Sequence, residues 1–150
     1  MAIDGQFTAY KELAMENIVK FDRNFWKSEE KFAYIGNGEL GGKAQGLISV
    51  KNIVSQMNIP GIEIFIPKTV VIATDYFDLF MEQNKLYEFT NLESDERIVH
   101  HFLKADLPIQ LLGDLRAIIS EIHTPLAIRS SSLLEDSLNS PFAGIYATKM

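Results

Sequence analysis

The stretch "GNGELGGKAQGLISVKNIVSQMNIPG" (residues 36–61) decides how the chain is read. Its first twelve residues hold five glycines and one lysine. Beyond them Ala44, Leu47, Val50, Ile53, Val54 and Met57 recur at steps of three and four, the pattern of one apolar helix face. "NIPG" at 58–61 ends that helix. A glycine loop that opens onto a helix start brings free backbone N–H groups and a partial positive charge to one place.

Three motifs compete for the loop. Gly36, Gly38 and Gly41 satisfy G-x-G-x-x-G, a weak signal by itself. A dinucleotide site also needs an acid at the end of the following strand, about 20 residues on. Glu63 stands near that distance but at the wrong end of the strand, and Asp75 stands at the right end but too far along. A phosphate loop of the G-x-x-x-x-G-K-[ST] type fits at Gly42 and Lys43 but fails at Asn37 and Ala44. The third reading keeps only the physics. Gly41 and Gly42 let the backbone turn and approach a ligand, and Lys43 stands in the first helical turn. A cation there is slightly unfavourable for the helix and favourable once an anion is bound. The plain alternative is a flexible loop with a surface lysine.

Outward from the loop, residues 1–34 are mixed and aromatic-rich, with a helix expected near 8–20. "IEIFIPKTVVIAT" (62–74) reads as a β-branched strand with Pro67 at a bulge or edge. Thr74 is placed to cap a helix carrying Tyr76, Phe77, Leu79, Phe80 and Met81, and Ser94 to cap one over 95–104. Pro108 suits the first turn of a helix striped by Ile109, Leu112, Leu115, Ile118, Ile119 and Ile122. "PLAIRSSS" (125–132) reads as a short buried strand running into a polar loop, and "FAGIYAT" (142–148) as a last strand. The order points to a mixed α/β or α+β domain.

Composition bounds the function. The chain has 150 residues, 47% hydrophobic and 23% charged, as in a soluble globular domain. A net charge of −6 argues against non-specific binding to nucleic acid or anionic lipid. No cysteine is present, which excludes disulfides, thiolate metal sites and cysteine nucleophiles. No secretory pattern opens the chain and no apolar run approaches a membrane span, so a cytoplasmic protein is expected.

"AIRSSSLLEDS" (127–137) is the second candidate site. Arg129 ends an apolar strand directly before three serines, and its planar fork suits a phosphate. Ser132 and Glu135 have capping-box spacing. Pairing of Arg129 with Glu135 or Asp136 is the structural alternative. Two basic residues at two loop ends suit a polyphosphate, whose transfer rests on positioning and charge stabilisation.

"GGKAQGL", "IPKTVVIATDYF", "LAIRSSSLLEDS" and "FAGIYAT", in this order, resemble the N-terminal nucleotide-binding domain of phosphoenolpyruvate synthase and pyruvate phosphate dikinase. The same domain type occurs in rifampicin phosphotransferases and glucan water dikinases. The resemblance spans roughly residues 34 to 148. It implies an ATP-grasp-like fold in which ATP lies between two lobes. Its lysine and arginine motif positions match Lys43 and Arg129 here, the expected catalytic pair. Gly41, Gly42, Ser130 and Thr148 match further nucleotide-binding positions, with the backbone of Ser130–Ser132 expected to add donors. Residues 1–33 are then an N-terminal helical extension, and 34–150 a partial nucleotide-binding domain, the first lobe, with the C-terminal lobe absent. The adenine pocket, the Mg²⁺ ligands and the phosphohistidine domain are expected outside these residues, so no metal ligand is assigned here.

The implied function is that of an ATP-binding lobe in a phosphotransferase that phosphorylates a carrier histidine. Pro141 and Ile145 depart from the family pattern, where serine and glutamine are usual. They motivate the alternative of a non-catalytic nucleotide-sensing or interaction module. His100 and His101 are adjacent on a helix and make a poor metal pair. His123 reads as structural. Asp75, Asp78 and Glu82 read as a solvated helix face, and the aromatics of 76–89 as core or a docking surface.

Overall fold

The computed structural model describes residues 18–57, 59–89, 94–132 and 148–149, the last two by backbone alone. The helix expected over 8–20 lies mostly outside them, as do Glu135, Asp136, Pro141 and Ile145. Its last residues are not helical: Val19–Lys20 is strand β1.

The centre is a parallel sheet in the order β1, β2 (Phe32–Ile35), β3 (Thr69–Ile72). Val19 pairs with Ala33, and Phe32 through Ile35 pair with Thr69 through Ile72. Parallel neighbours need a crossover. Between β2 and β3 it consists of the glycine loop, helix α1 (Gly42–Val54) and an irregular return. The strand expected over 62–74 is therefore short. Pro67 removes a ladder donor, and Ile62, Ile64 and Phe65 are exposed, so only the β-branched Thr69–Ile72 enters the sheet.

Strand β2 alternates as a pleat requires. Phe32 joins Leu40, Ala44, Ile48, Val71 and Ala73 in one apolar cluster, under α1. Ala33 and Ile35 join Phe21, Phe25, Leu111 and Ile118 in another, under helix α4 (Ile109–Glu121). The sheet is thus covered on both faces, the usual state of parallel strands. Phe21, Phe25 and Trp26 meet edge to face at 5.0–6.5 Å. Lys68 fixes this corner: its Nζ donates to the Phe25 and Ser28 carbonyls at 2.6 Å each and lies 4.7 Å from the Phe25 ring centre.

The stripe expected to bury α1 does so only in its first turn, at Ala44. Leu47, Val50, Ile53 and Met57 are exposed, while Ala44 and Ile48 are buried. A helical period shows that a face is apolar, but the loop joining the helix to the sheet sets which turn touches it. In α4, likewise, Leu111 and Ile118 are buried and Ile109 and Ile119 exposed.

Helix α2 (Thr74–Gln83) follows β3 directly, with Ala73 rather than Thr74 at its N-cap. Helix α3 (Asp95–Lys104) begins after Ser94 as expected. It packs by Phe102 on Phe80 at 5.9 Å and by His101 stacked on Phe89 at 4.2 Å. Asn84 ties the chain behind it, donating to the Asp106 carbonyl and accepting from the Asp106 N–H. Pro108 is the buried N-cap of α4. Beyond α4 the expected buried strand is two residues, β4 (Ile128–Arg129), antiparallel to β5 (Thr148–Lys149). It is exposed, with Ile128 at 68%, because it joins this ribbon and not the parallel sheet.

Candidate nucleotide site

The glycine loop is held at both ends. At its start, Asn37 donates its N–H to Asp75 Oδ2 at 2.9 Å and accepts from Lys20 Nζ at 3.2 Å. Glu39 donates its N–H to Thr74 Oγ1 at 3.1 Å, and its carbonyl accepts the Thr74 N–H at 2.9 Å. Leu40 is buried, and its carbonyl accepts from the Gln45 side-chain amide at 2.5 Å. A flexible loop with a surface lysine does not describe this segment.

At the helix start, the two clusters read separately in the sequence meet. Gly42 donates its N–H to the Ser132 carbonyl at 2.9 Å, and Ala44 donates its N–H to Ser131 Oγ at 3.0 Å. Lys43 Nζ donates to the Ser130 carbonyl at 3.1 Å. Gly41 is buried, and a Cβ there would overlap the Ser131 carbonyl, so only glycine permits this approach. Arg129, one residue before Ser130, is exposed and sits opposite Thr148 in the β4–β5 register. Gly41, Gly42, Lys43, Arg129, Ser130 and the Thr148 backbone therefore belong to one neighbourhood.

The N–H groups at the start of α1, expected to be free for an anion, are in part already engaged. The serine segment accepts from the helix start: Ser131 Oγ and the Ser132 carbonyl take two of the N–H groups that an anion would otherwise receive. Serine Oγ here acts as an N-cap supplied from 87 residues away. The basic side chains Lys43 and Arg129 remain suited to a polyphosphate, and the Gly42 and Ala44 amides do not. Ser130 Oγ is buried without a hydrogen-bond partner among the described residues.

Asp75 does not belong to the solvated face expected of it. Asp78 and Glu82 are exposed, but Asp75 turns toward the loop. The available signal was its position directly after a parallel strand that ends at the loop. Its neighbour Tyr76 has a hydroxyl pKa raised above the ordinary value, by burial first and then by Asp114 and Asp75, so it stays neutral. With the Asp75 carboxylate engaged by Asn37, the dinucleotide reading lacks its ribose acid.

A doubly covered parallel sheet, with a glycine loop leading into a helix that carries a basic residue, defines a mixed α/β domain of the nucleotide-binding class. Residues 37–150 match the family model of the pyruvate phosphate dikinase AMP/ATP-binding domain, and the chain belongs to that family. ATP binding is the role this membership supports. No curated protein and no solved structure matches the chain. No helix among the described residues is long and apolar enough to cross a membrane.

Proposed function

We propose that this chain is the first lobe, with residues 34–150 as its core, of an ATP-grasp-like phosphotransferase. In that enzyme ATP phosphorylates a carrier histidine, which passes the phosphoryl group to pyruvate or another acceptor. The observation that carries the reading is the Lys43 Nζ bond to the Ser130 carbonyl at 3.1 Å, which sets the glycine-loop lysine beside the residue following Arg129. On this reading Lys43 exchanges a neutral carbonyl for a phosphate oxygen, a stronger, charge-assisted partner. Arg129 adds a planar fork for a second phosphate. Gly41 and Gly42 allow the close approach, Ser130 fixes Lys43 before the nucleotide arrives, and Thr148 is the further nucleotide-binding position, opposite Arg129 in the β4–β5 register.

ATP carries Mg²⁺ to the site, with its protein ligands supplied by a second lobe. The phosphohistidine domain is the remaining partner, and the cytoplasm is the compartment. The test compares Lys43→Ala and Arg129→Ala with the unaltered protein, in the longest natural chain carrying this domain. ATP-dependent histidine phosphorylation should fall about a hundredfold or more in each, with the folded state retained. Near-normal turnover by both variants would defeat the assignment. Saturable Mg-ATP binding without any phosphorylation would favour a nucleotide-sensing module instead.

A further inference from the structure

We propose that Asp75, assisted by Thr74, is the positioning residue of the glycine loop. The first turn of α2 holds residues 36–39, and this hold presents Lys43 and the start of α1 to the segment bearing Arg129. The inference rests on the ATP-binding reading and adds a residue that contacts no nucleotide.

Four contacts carry it. Asp75 Oδ2 accepts the Asn37 N–H, Thr74 Oγ1 accepts the Glu39 N–H, and the Thr74 N–H returns to the Glu39 carbonyl. Just before them, the Ala73 N–H donates to the Ile35 carbonyl, which continues the β2–β3 ladder into the loop. The fit leaves no slack. A Cβ on Gly38 would lie 2.5 Å from the Asp75 backbone nitrogen and 2.9 Å from both Asp75 Oδ1 and Thr74 Oγ1. A Cβ on Gly36 would lie 2.5 Å from Asp75 Oδ1. The glycines are thus matched to the clamp and not only to a ligand.

The alternatives explain less. A solvated acid would resemble Asp78 and Glu82, which are exposed. An acid placed only for the helix dipole would need no contact outside its helix. Asp75 instead buries Oδ1 with no partner among the described residues, an unfavourable state accepted where the other oxygen has a task. A negative charge near a polyphosphate opposes binding, so what Asp75 supplies is acceptor geometry. Between Asn37 and Lys43 the chain has five residues; Leu40 is buried midway, so the hold is transmitted through a fixed point.

The experiment titrates the longest natural chain carrying this domain with Mg-ATP, as wild type, Asp75→Ala, Asp75→Asn, Lys43→Ala and the Asp75→Ala/Lys43→Ala pair. Asp75→Ala should weaken binding about tenfold, the loss of one well-placed charged hydrogen bond. Asp75→Asn keeps an acceptor and should bind within roughly twofold of wild type. In the Lys43→Ala background, Asp75→Ala should add nothing, because a positioning residue acts through the group it positions. Wild-type affinity in Asp75→Ala, equal losses in Asp75→Asn and Asp75→Ala, or multiplying losses in the pair would each overturn the inference alone. Failure of the wild type to bind Mg-ATP would remove the functional reading and this inference together. Should Asp75→Ala not fold, Gly38→Ala replaces it in the cycle with the same expected silence beside Lys43→Ala.

Discussion

The two ends of the glycine loop are both tightly held, but by different parts of the molecule. Residues 36–39 are clamped to the first turn of α2, which continues β3 and so belongs to the sheet and its core. Residues 41–44 are held by Ser130–Ser132, which follow the exposed strand β4. One end is anchored to a body whose buried residues include Val71 and Ala73, the other to a strand whose Ile128 faces solvent. The difference teaches where movement is least costly. Opening the first end would disturb a packed core, whereas opening the second exchanges hydrogen bonds, among the described residues those of Gly42, Lys43 and Ala44 to Ser130–Ser132. A ligand that competes for Lys43 therefore meets the yielding end.

Gly41→Ala should have the largest effect on this contrast. Its Cβ would overlap the Ser131 carbonyl and should weaken the contact by about 3 kcal/mol, the upper range for overpacking. Amide exchange should speed at Gly42 and Ala44 while Asn37 and Glu39 stay protected. Equal loss of protection at both ends would break the contrast.

Lys68→Met attacks the core end. It leaves the Phe25 and Ser28 carbonyls without their ammonium and should lower stability by about 2 kcal/mol. Thermal denaturation should show the loss, and Mg-ATP affinity should not change. A parallel fall in affinity would mean that the core corner and the site are coupled. Ser131→Ala removes only the acceptor of the Ala44 N–H and should cost about 1 kcal/mol of the ribbon contact, as loss of an N-cap does. Ser131→Thr should restore it.

The smallest effect lies far from the loop. Glu96 has a pKa lowered by its own backbone N–H and then by the Ser94 hydroxyl. A lowered carboxylate contributes stability that is fully present above its unfolded pKa and is lost as pH falls through its folded one. Acidification through that window should loosen the start of α3 alone, as read by its amide exchange, and Ser94→Ala should lessen the pH dependence. Simultaneous loosening at Asn37 would show that α3 and the loop share one cooperative unit.

Much of the architecture was legible because it is written locally. The start of α1 after Gly41, the span of α3 behind Ser94 and the onset of α4 beside Pro108 follow from residue type and period, although the Ser94 side chain makes no cap hydrogen bond and Pro108 stands at the N-cap, one residue before the expected first turn. Strand β2 was not legible. "FAYI" is too short to show a period, and its place between β1 and β3 depends on partners distant in sequence. The buried face of α1 is legible only at Ala44, for a related reason: apolar residues lie around most of the helix, and only contact with the sheet selects Ile48 beside it.

The candidate site divides in the same way. Residue type and order by themselves determined the family and singled out Lys43, Arg129 and the glycines as candidates. Tertiary structure decided that the N–H groups of Gly42 and Ala44 meet the serine segment instead of standing free at the start of α1, and that Asp75 holds the loop instead of facing water. The physical reason is that a hydrogen-bonding group has several possible partners, and the fold, by bringing residues 75 and 131 to the loop, selects which one it meets.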